Sequence, residues 1–402
     1  MAENPNTFRF TAIATAIALI AVASVGIPLY VIRPFVPENP LALAFALELR
    51  RIAPVLTLVC VLGIVLLSAA AWKRMRLMAR AGCVVALAIA ALSVAASRIN
   101  IFERMFYPNP EPSFVAAAQA SVDNSDMVLA VGLGGERRAY PIRYLGYHHI
   151  INDTLGGQPI AITYCTLCHT GLVWSRVLDG RALYFHLGGI NNGNALLRDA
   201  ETSSIWQQST GECIFGPLRG KHLALVSSEE LSFALWRKEN PNGTVLRPDP
   251  AVEAEYDPKD WEQHVARTRV VVDVSSSGIN PHEIVFGIQI GGTHRAYLLR
   301  SLYGSRLIED APANGANRVL LGLGPDNSSV RAFDPGQLTF VRAQSPTEGA
   351  FMTDTDTGST WNFQGCAVAG KLAGQCLKTV DGHKSFWFDW WNHYRDTTVY
   401  RG

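Results

Sequence analysis

The chain changes character near residue 100. Before it, apolar residues run in long blocks; after it, they alternate with polar ones over short stretches broken by Gly, Pro, Asn and Asp. Residues 10–32 and 53–72 carry no charge, and residues 81–97 are rich in Ala, Val and Leu. A bilayer core about 30 Å thick takes roughly 20 apolar residues of helix, with about 17 as the lower limit, so all three blocks predict transmembrane helices. A cleaved signal peptide would explain only the first. Lys73, Arg74, Arg76 and Arg80 crowd the short loop between the second and third blocks. Cytoplasmic loops are enriched in Lys and Arg, so this loop is expected inside and everything after Asn100 outside, although Arg33, Arg50 and Arg51 in the first loop pull the other way. In a bacterium this puts a soluble module on the periplasmic side of the inner membrane, an oxidising compartment.

The remainder reads as strands: "MVLAVGL", "RVVVDV" and "EIVFGIQI" alternate or run apolar for a strand's length. Helical periodicity is rare. The stretch 228–240, "SEELSFALWRKEN", predicts an amphipathic helix with Ser228 as N-cap, ending before Pro241. The strand patterns occur twice. "DMVLAVGLGGERRAYPIRYL" from Asp126 matches "HEIVFGIQIGGTHRAYLLRSL" from His282, and "SSIWQQSTGECIFGPLRGKHL" matches "GSTWNFQGCAVAGKLAGQCL", pairing Trp206 with Trp361. Two blocks in one order at nearly one offset predict a tandem duplication. The expected fold is therefore a membrane-anchored α+β protein, mainly β. It comprises a membrane domain (1–100), a β-rich repeat (101–275) and a second β-rich repeat (276–402).

Charge narrows the partners little. Lys plus Arg total 35 against 34 Asp plus Glu, so no field draws nucleic acid. The expected partner is the lipid bilayer, with docking onto a larger membrane complex as a further option. No G-x-S-x-G or H-E-x-x-H occurs, which disfavours the common hydrolases.

The seven cysteines carry the candidate chemistry. Cys60 and Cys83 lie in the apolar blocks and read as small core residues. Cys366 and Cys376 flank a hairpin-like stretch in repeat two, and their spacing favours a disulfide. Cys213 has no evident partner. Cys165, Cys168 and His169 form "CTLCH" in repeat one, while the corresponding stretch of repeat two, "NRVLLGLGPDNSSVRAFDP", has no cysteine. Four readings compete. Covalent c-type haem would use Cys165, Cys168 and His169 as the axial ligand, but "AITY" and "GLVW" on either side look like strands rather than a helix start. A copper or zinc site would add His148 and His169 to the two thiolates. A redox dithiol uses the same spacing, usually ahead of a helix. A structural disulfide is the plainest reading.

The run "RAYPIRYLGYHHIINDTLGGQPIAITYCTLCHTGLVWSR", followed by "SSIWQQSTGECIFGPLRGKHL", resembles the uncharacterised bacterial and archaeal family called domain of unknown function 3179 over roughly residues 126–400. The resemblance rests on Ala139-Tyr140-Pro141, His148, Asn152-Asp153, Thr163-Tyr164-Cys165, Cys168, Trp206 and Gly216-Pro217-Leu218. The family pattern often has Asn where His169 stands, which implies that His148 matters more than His169 to any shared site and weakens the haem reading. Outside the cysteines the plain readings dominate: Asn152 and Asp153 as turn formers, Arg198 and Asp199 as a pocket wall, an ion pair or a turn, Trp206 and Trp361 as core, and the aromatic tail 384–394 as cover for a sheet edge or contact with the membrane surface. The sequence thus predicts a membrane-anchored protein with a thiol-based copper, zinc or redox centre. The alternatives are an assembly subunit stapled by the Cys pair and a haem c electron carrier.

Overall fold

A computed structural model describes residues 5–256, 261–312, 317–344, 347 and 349–401. Helices α1 (Pro5–Val31), α2 (Pro40–Ala71) and α3 (Leu77–Ala96) are each long and apolar enough to cross a membrane. They pack through small side chains, among them Ala14, Ala18, Ala21, Cys60, Ala86 and Ala90, which let helix backbones approach where lipid offers no hydrophobic drive. Helix α2 starts thirteen residues before the uncharged block at 53, because Asn39 accepts from the backbone N–H groups of Leu41 and Ala42 and Pro40 follows at the first turn. Its early turns carry Arg50, whose guanidinium reaches the Asn100 side chain and the Gly188 carbonyl of the module.

The module is two copies of one topology. In repeat one, Ser228–Ser232, Met127–Leu133, Glu136–Pro141, Thr244–Leu246 and Phe114–Ala116 form the first sheet; Leu225–Val226, Thr170–Ser175, Gln158–Cys165 and Ile150–Leu155 the second; Cys213–Phe215, Ile205–Gln207, Asn194–Asp199 and Phe185–Asn191 the third. Repeat two gives the same orders, without a counterpart of Phe114–Ala116: Gly382–Phe386, Ile284–Ile290, Thr293–Leu298 and Thr398–Tyr400; Lys378–Thr379, Val330–Asp334, Val319–Leu323 and Leu307–Asp310; Ala367–Ala369, Thr360–Trp361, Met352–Asp354 and Phe340–Arg342. In each copy the closing strand joins the first sheet in parallel while its other pairs are antiparallel.

Side chains repeat with the backbone. Tyr140 and Arg138 both hold Asp153, as Tyr297 and Arg295 hold Asp310. The Trp206 indole donates to Asp199 and the Trp361 indole to Asp354, each acid also capping a tight turn through Thr202 or Thr357. Both tryptophans are buried, 0% and 1% exposed, as expected of core. Gly216 and Gly370 sit at φ 101° and 94°, where a Cβ would come within 2.7 and 2.6 Å of the Ser204 and Ser359 backbones, so only glycine fits.

Three local expectations are corrected. Residues 269–274, "RVVVDV", form no strand. Residues 228–232 form a strand against Met127–Val131, and the helix is only Phe233–Glu239, capped by Ser232. Pairing at the sheet edge outweighs helix propensity there. Asn152 and Asp153 lie inside a strand rather than a turn. Asn152 exchanges both amide bonds with the backbone of Phe185, tying the second sheet to the third.

Cys366 and Cys376 are joined in a disulfide across the third sheet of repeat two, where repeat one pairs Glu212 with His222. Closing a loop of this length restricts the unfolded chain by roughly 3 kcal/mol. Cys366→Ser with Cys376→Ser is expected to lower unfolding stability by about that amount while leaving the chemistry of Cys165 and Cys168 unchanged, as read by denaturant titration and thiol trapping.

Candidate functional site

The second sheet of repeat one places the cysteines. Gln158–Cys165 and Thr170–Ser175 pair so that Tyr164 faces Gly171 and Cys165 faces Thr170, and residues 165–170 close the hairpin beyond the Tyr164–Gly171 pair. Repeat two closes the same turn with the same number of residues: Leu323 faces Val330, and residues 324–329, "GPDNSS", lie between. The Cys168 N–H donates to the Cys165 carbonyl just as the Asn327 N–H donates to that of Gly324. The turn therefore forms without cysteine, and the two thiols are additions to it.

Those thiols face one another. The sulfurs are unbonded and in close contact at 2.6 Å, and both approach the Gly193 carbonyl, at 3.5 Å from Cys165 and 3.2 Å from Cys168. Cys165 is 3% exposed and Cys168 is 0%. Burial, reinforced by Cys165 and by the negative charge of Asp389, pushes the Cys168 thiol well above its ordinary range.

A buried polar network surrounds the pair. The Asn194 amide lies 3.4 Å from the Cys168 sulfur and donates to Gln208 and Ser209; the Gln208 amide donates to Thr163 and to the Thr170 carbonyl. Repeat two has apolar Phe363 in place of Gln208 and makes no comparable network among the described residues. The network ends on a residue contributed by repeat two. Phe386 donates its backbone N–H to the Cys168 carbonyl, and the helix Trp387–His393 that follows directs Asp389 inward. One Asp389 carboxylate oxygen lies 2.7 Å from the Ser209 hydroxyl and 3.0 Å from that of Thr170; the other lies 3.4 Å from the His393 ring. Burial alone would raise this carboxyl, but His393, Ser209 and Thr170 together bring it below the usual carboxylate range. The aromatic tail is thus the inner wall of the repeat-one site as well as an edge strand.

The structure separates the residues expected to act together. Both ring nitrogens of His148 are occupied elsewhere, by the Tyr107 carbonyl at 2.6 Å and the Tyr256 hydroxyl at 2.9 Å. The histidine that touches the turn is His149, 3.3 Å from the Thr166 hydroxyl; it takes a left-handed backbone and stacks on Phe106. Burial lowers its imidazole to about 4. His169 is 4% exposed, with Nδ1 turned toward the Tyr164 hydroxyl at 3.4 Å and Glu262 at 3.8 Å, and its ring lies against Phe386. The expected metal set of Cys165, Cys168, His148 and His169 is therefore not assembled, and no group of three or more His, Cys, Asp and Glu side chains is placed to hold a metal ion among the described residues. Covalent haem does not fit this arrangement either. Both sulfurs point at a backbone carbonyl inside the protein, and the His169 ring is packed between Tyr164 and Phe386. Arg198 and Asp199 do not flank the thiols. Asp199 closes its turn, and Cys213 points to the carbonyl of Phe215.

The membrane domain abuts this site. Between α1 and α2, the Glu38 carboxylate accepts from the Asn192 N–H at 2.6 Å, and the Glu38 N–H donates to the Asn192 side chain. Asn192 adjoins Gly193, whose carbonyl meets both thiols. Ile32, Leu43, Ala46 and Leu47 pack beneath Leu196 and Ile205 of the same sheet. Burial raises the Glu38 carboxyl to about 7 despite the bond from Asn192. A carboxyl raised by docking favours the docked state most below its free value near 4.3 and loses that contribution as pH rises through about 7. Hydrogen exchange at the Asn192 N–H is therefore expected to quicken, beyond the intrinsic base catalysis, between pH 5 and pH 8. Glu38→Gln is expected to remove that pH dependence.

A cavity of about 340 Å³ lies beyond Gly171 at the seam between repeats. Within it Arg331 pairs with Glu229 and Glu239, Lys384 pairs with Glu230, and Asp381 accepts from Ser227.

Comparison with known proteins adds a family and no activity. No curated protein matches the chain significantly. No solved structure does either. One family model, described as a protein of unknown function, spans residues 109–397, which covers both repeats and leaves out the three apolar helices. The chain accordingly belongs to the DUF3179 family of proteins of unknown function.

Proposed function

We propose that this is a membrane-anchored, extracytoplasmic thiol–disulfide protein in which Cys165 and Cys168 alternate between dithiol and disulfide. The observation that carries the reading is the paired turn: repeat two closes the same six-residue connection with "GPDNSS", so the facing thiols of repeat one are not needed to build it. Oxidation removes one proton and one electron from each thiol and forms one S–S bond; reduction reverses this. The high pKa direction at Cys168 suits a thiol that stays protonated until its partner is engaged. Asp389, linked to the turn through Thr170, is positioned to influence where that proton goes. The sidedness of the module rests on the basic loop at residues 73–80.

The test is alkylation and mass analysis of the full chain, with and without prior mild reduction, read on the peptide holding residues 165 and 168. A gain of two alkylated thiols after reduction is expected. Copper or zinc retained at one ion per chain and lost in Cys165→Ser would overturn the proposal in favour of a metal centre. A pair that stays oxidised at every reducing poise short of unfolding would make it a staple.

A further inference from the structure

The two sulfurs are closed to water but lie next to the membrane anchor. The Glu38 connection binds Asn192, and the adjoining Gly193 carbonyl meets both thiols. Phe35 of that connection, Leu167 between the two cysteines, Gly193, Val270 and Phe388 line one narrow cleft. The apolar cluster that seats the module on α1 and α2 draws its module residues from repeat one alone. The copy that carries the thiols is thus the copy that sits on the membrane.

We infer that the pair delivers its electrons to a lipid-soluble carrier of the quinone class, which approaches from the bilayer between Phe35 and Leu167. The inference rests on the dithiol–disulfide reading. A thiol on another folded protein must collide with an exposed sulfur, and here Cys165 is 3% and Cys168 0% exposed. A flat ring arriving from lipid has a shorter path: it displaces the Phe35–Glu38 connection and meets Leu167, Val270, Val271 and Phe388, with Thr268 and Arg269 as polar members of the same lining. The cleft now has a volume of about 10 Å³, on the order of one water, so the ring enters only when that connection swings away. The Glu38–Asn192 pair of hydrogen bonds is the latch on that movement. The chemistry balances within the two reactants. Cys165 and Cys168 together lose two protons and two electrons and form the disulfide, and the two quinone oxygens take up both to give the hydroquinone.

The experiment uses the full chain in bilayer discs, with the pair reduced and the reductant removed. Decyl-ubiquinone is the probe, and both thiol loss and hydroquinone formation are followed. Loss of both thiols with one hydroquinone formed per chain is expected, with no reaction in Cys165→Ser. Glu38→Ala, which frees the connection, is expected to react faster than the natural chain. An unchanged rate there would overturn the Phe35 route. Oxidation by glutathione disulfide but not by decyl-ubiquinone would overturn the quinone inference and leave the thiol–disulfide reading standing. Failure of both oxidants would remove the reading as well.

Discussion

Cys165→Ser combined with Cys168→Ser is expected to abolish every redox-dependent change in the repeat-one peptide while the module stays folded. Both halves of this expectation come from the duplication. The turn of repeat two keeps the same length and the same backbone bond across its first four residues with Gly324 and Asn327 at the cysteine positions. Serine hydroxyls at 165 and 168 can donate to the Gly193 carbonyl that the thiols now meet, and the Asn194 amide remains beside position 168. The stability cost should therefore stay near that of one imperfect buried hydrogen bond, about 1–2 kcal/mol. Denaturant titration and thiol trapping on the same sample check the two halves together. Collapse of the fold would instead mean that the pair is a staple.

Asp389→Ala is expected to be the most destabilising single change near the site. The carboxylate accepts from Ser209, lies within 3.0 Å of Thr170 and faces His393; removing it leaves Ser209 only the Gln208 side chain at 3.4 Å and takes the facing acid from His393, while Thr170 keeps the Cys168 carbonyl. Each orphaned buried group costs about 1–3 kcal/mol, so a loss on the order of 3–5 kcal/mol is expected. Asp389→Asn separates charge from packing. It keeps the shape but removes the negative charge that helps hold the Cys168 thiol high, so Cys168 should become more acidic and be alkylated faster at a given pH. An unchanged or slower rate would show that burial alone sets its reactivity. Because the Asp389 carboxyl is depressed in the fold, its stabilising contribution is present at neutral pH and is lost as pH falls below the ordinary carboxylate range near 4. Acid unfolding of the natural chain should therefore be steeper than that of Asp389→Asn.

Much of this architecture can be read in the chain because it follows from strong, local demands. A bilayer enforces long apolar runs, and the three helices follow them; α2 begins earlier than its uncharged block because Asn39 caps it, and its early turns carry Arg50 to the Gly188 carbonyl. The duplication shows through residues that a turn or a core cannot exchange, such as the paired Gly-Gly turns and Trp206 with Trp361. The site was legible as two cysteines and little more. His148 and His149 are adjacent in sequence, and only the left-handed backbone at His149 decides which of them faces the turn. Asp389 lies among aromatics that resemble a surface tail. Its role emerges from strand register: Ser232 pairs with Met127 as Phe386 pairs with Ile284, which puts Asp389 where repeat one has the buried Leu235. A charge at a position the other copy keeps apolar is the signal that was present, visible once the two copies are aligned through their strands. Asn194, Gln208 and Ser209 gave no comparable signal, since polar residues beside a turn are ordinary until their burial is known.

The most direct test of the account is a redox titration of the full chain in a bilayer, trapping the thiols of the 165–168 peptide at a series of poised thiol/disulfide ratios. The account predicts one reversible two-electron transition confined to Cys165 and Cys168, with Cys366 and Cys376 unchanged across it. A pair that never leaves one state across the range, or that loses its thiols singly and irreversibly, would contradict it.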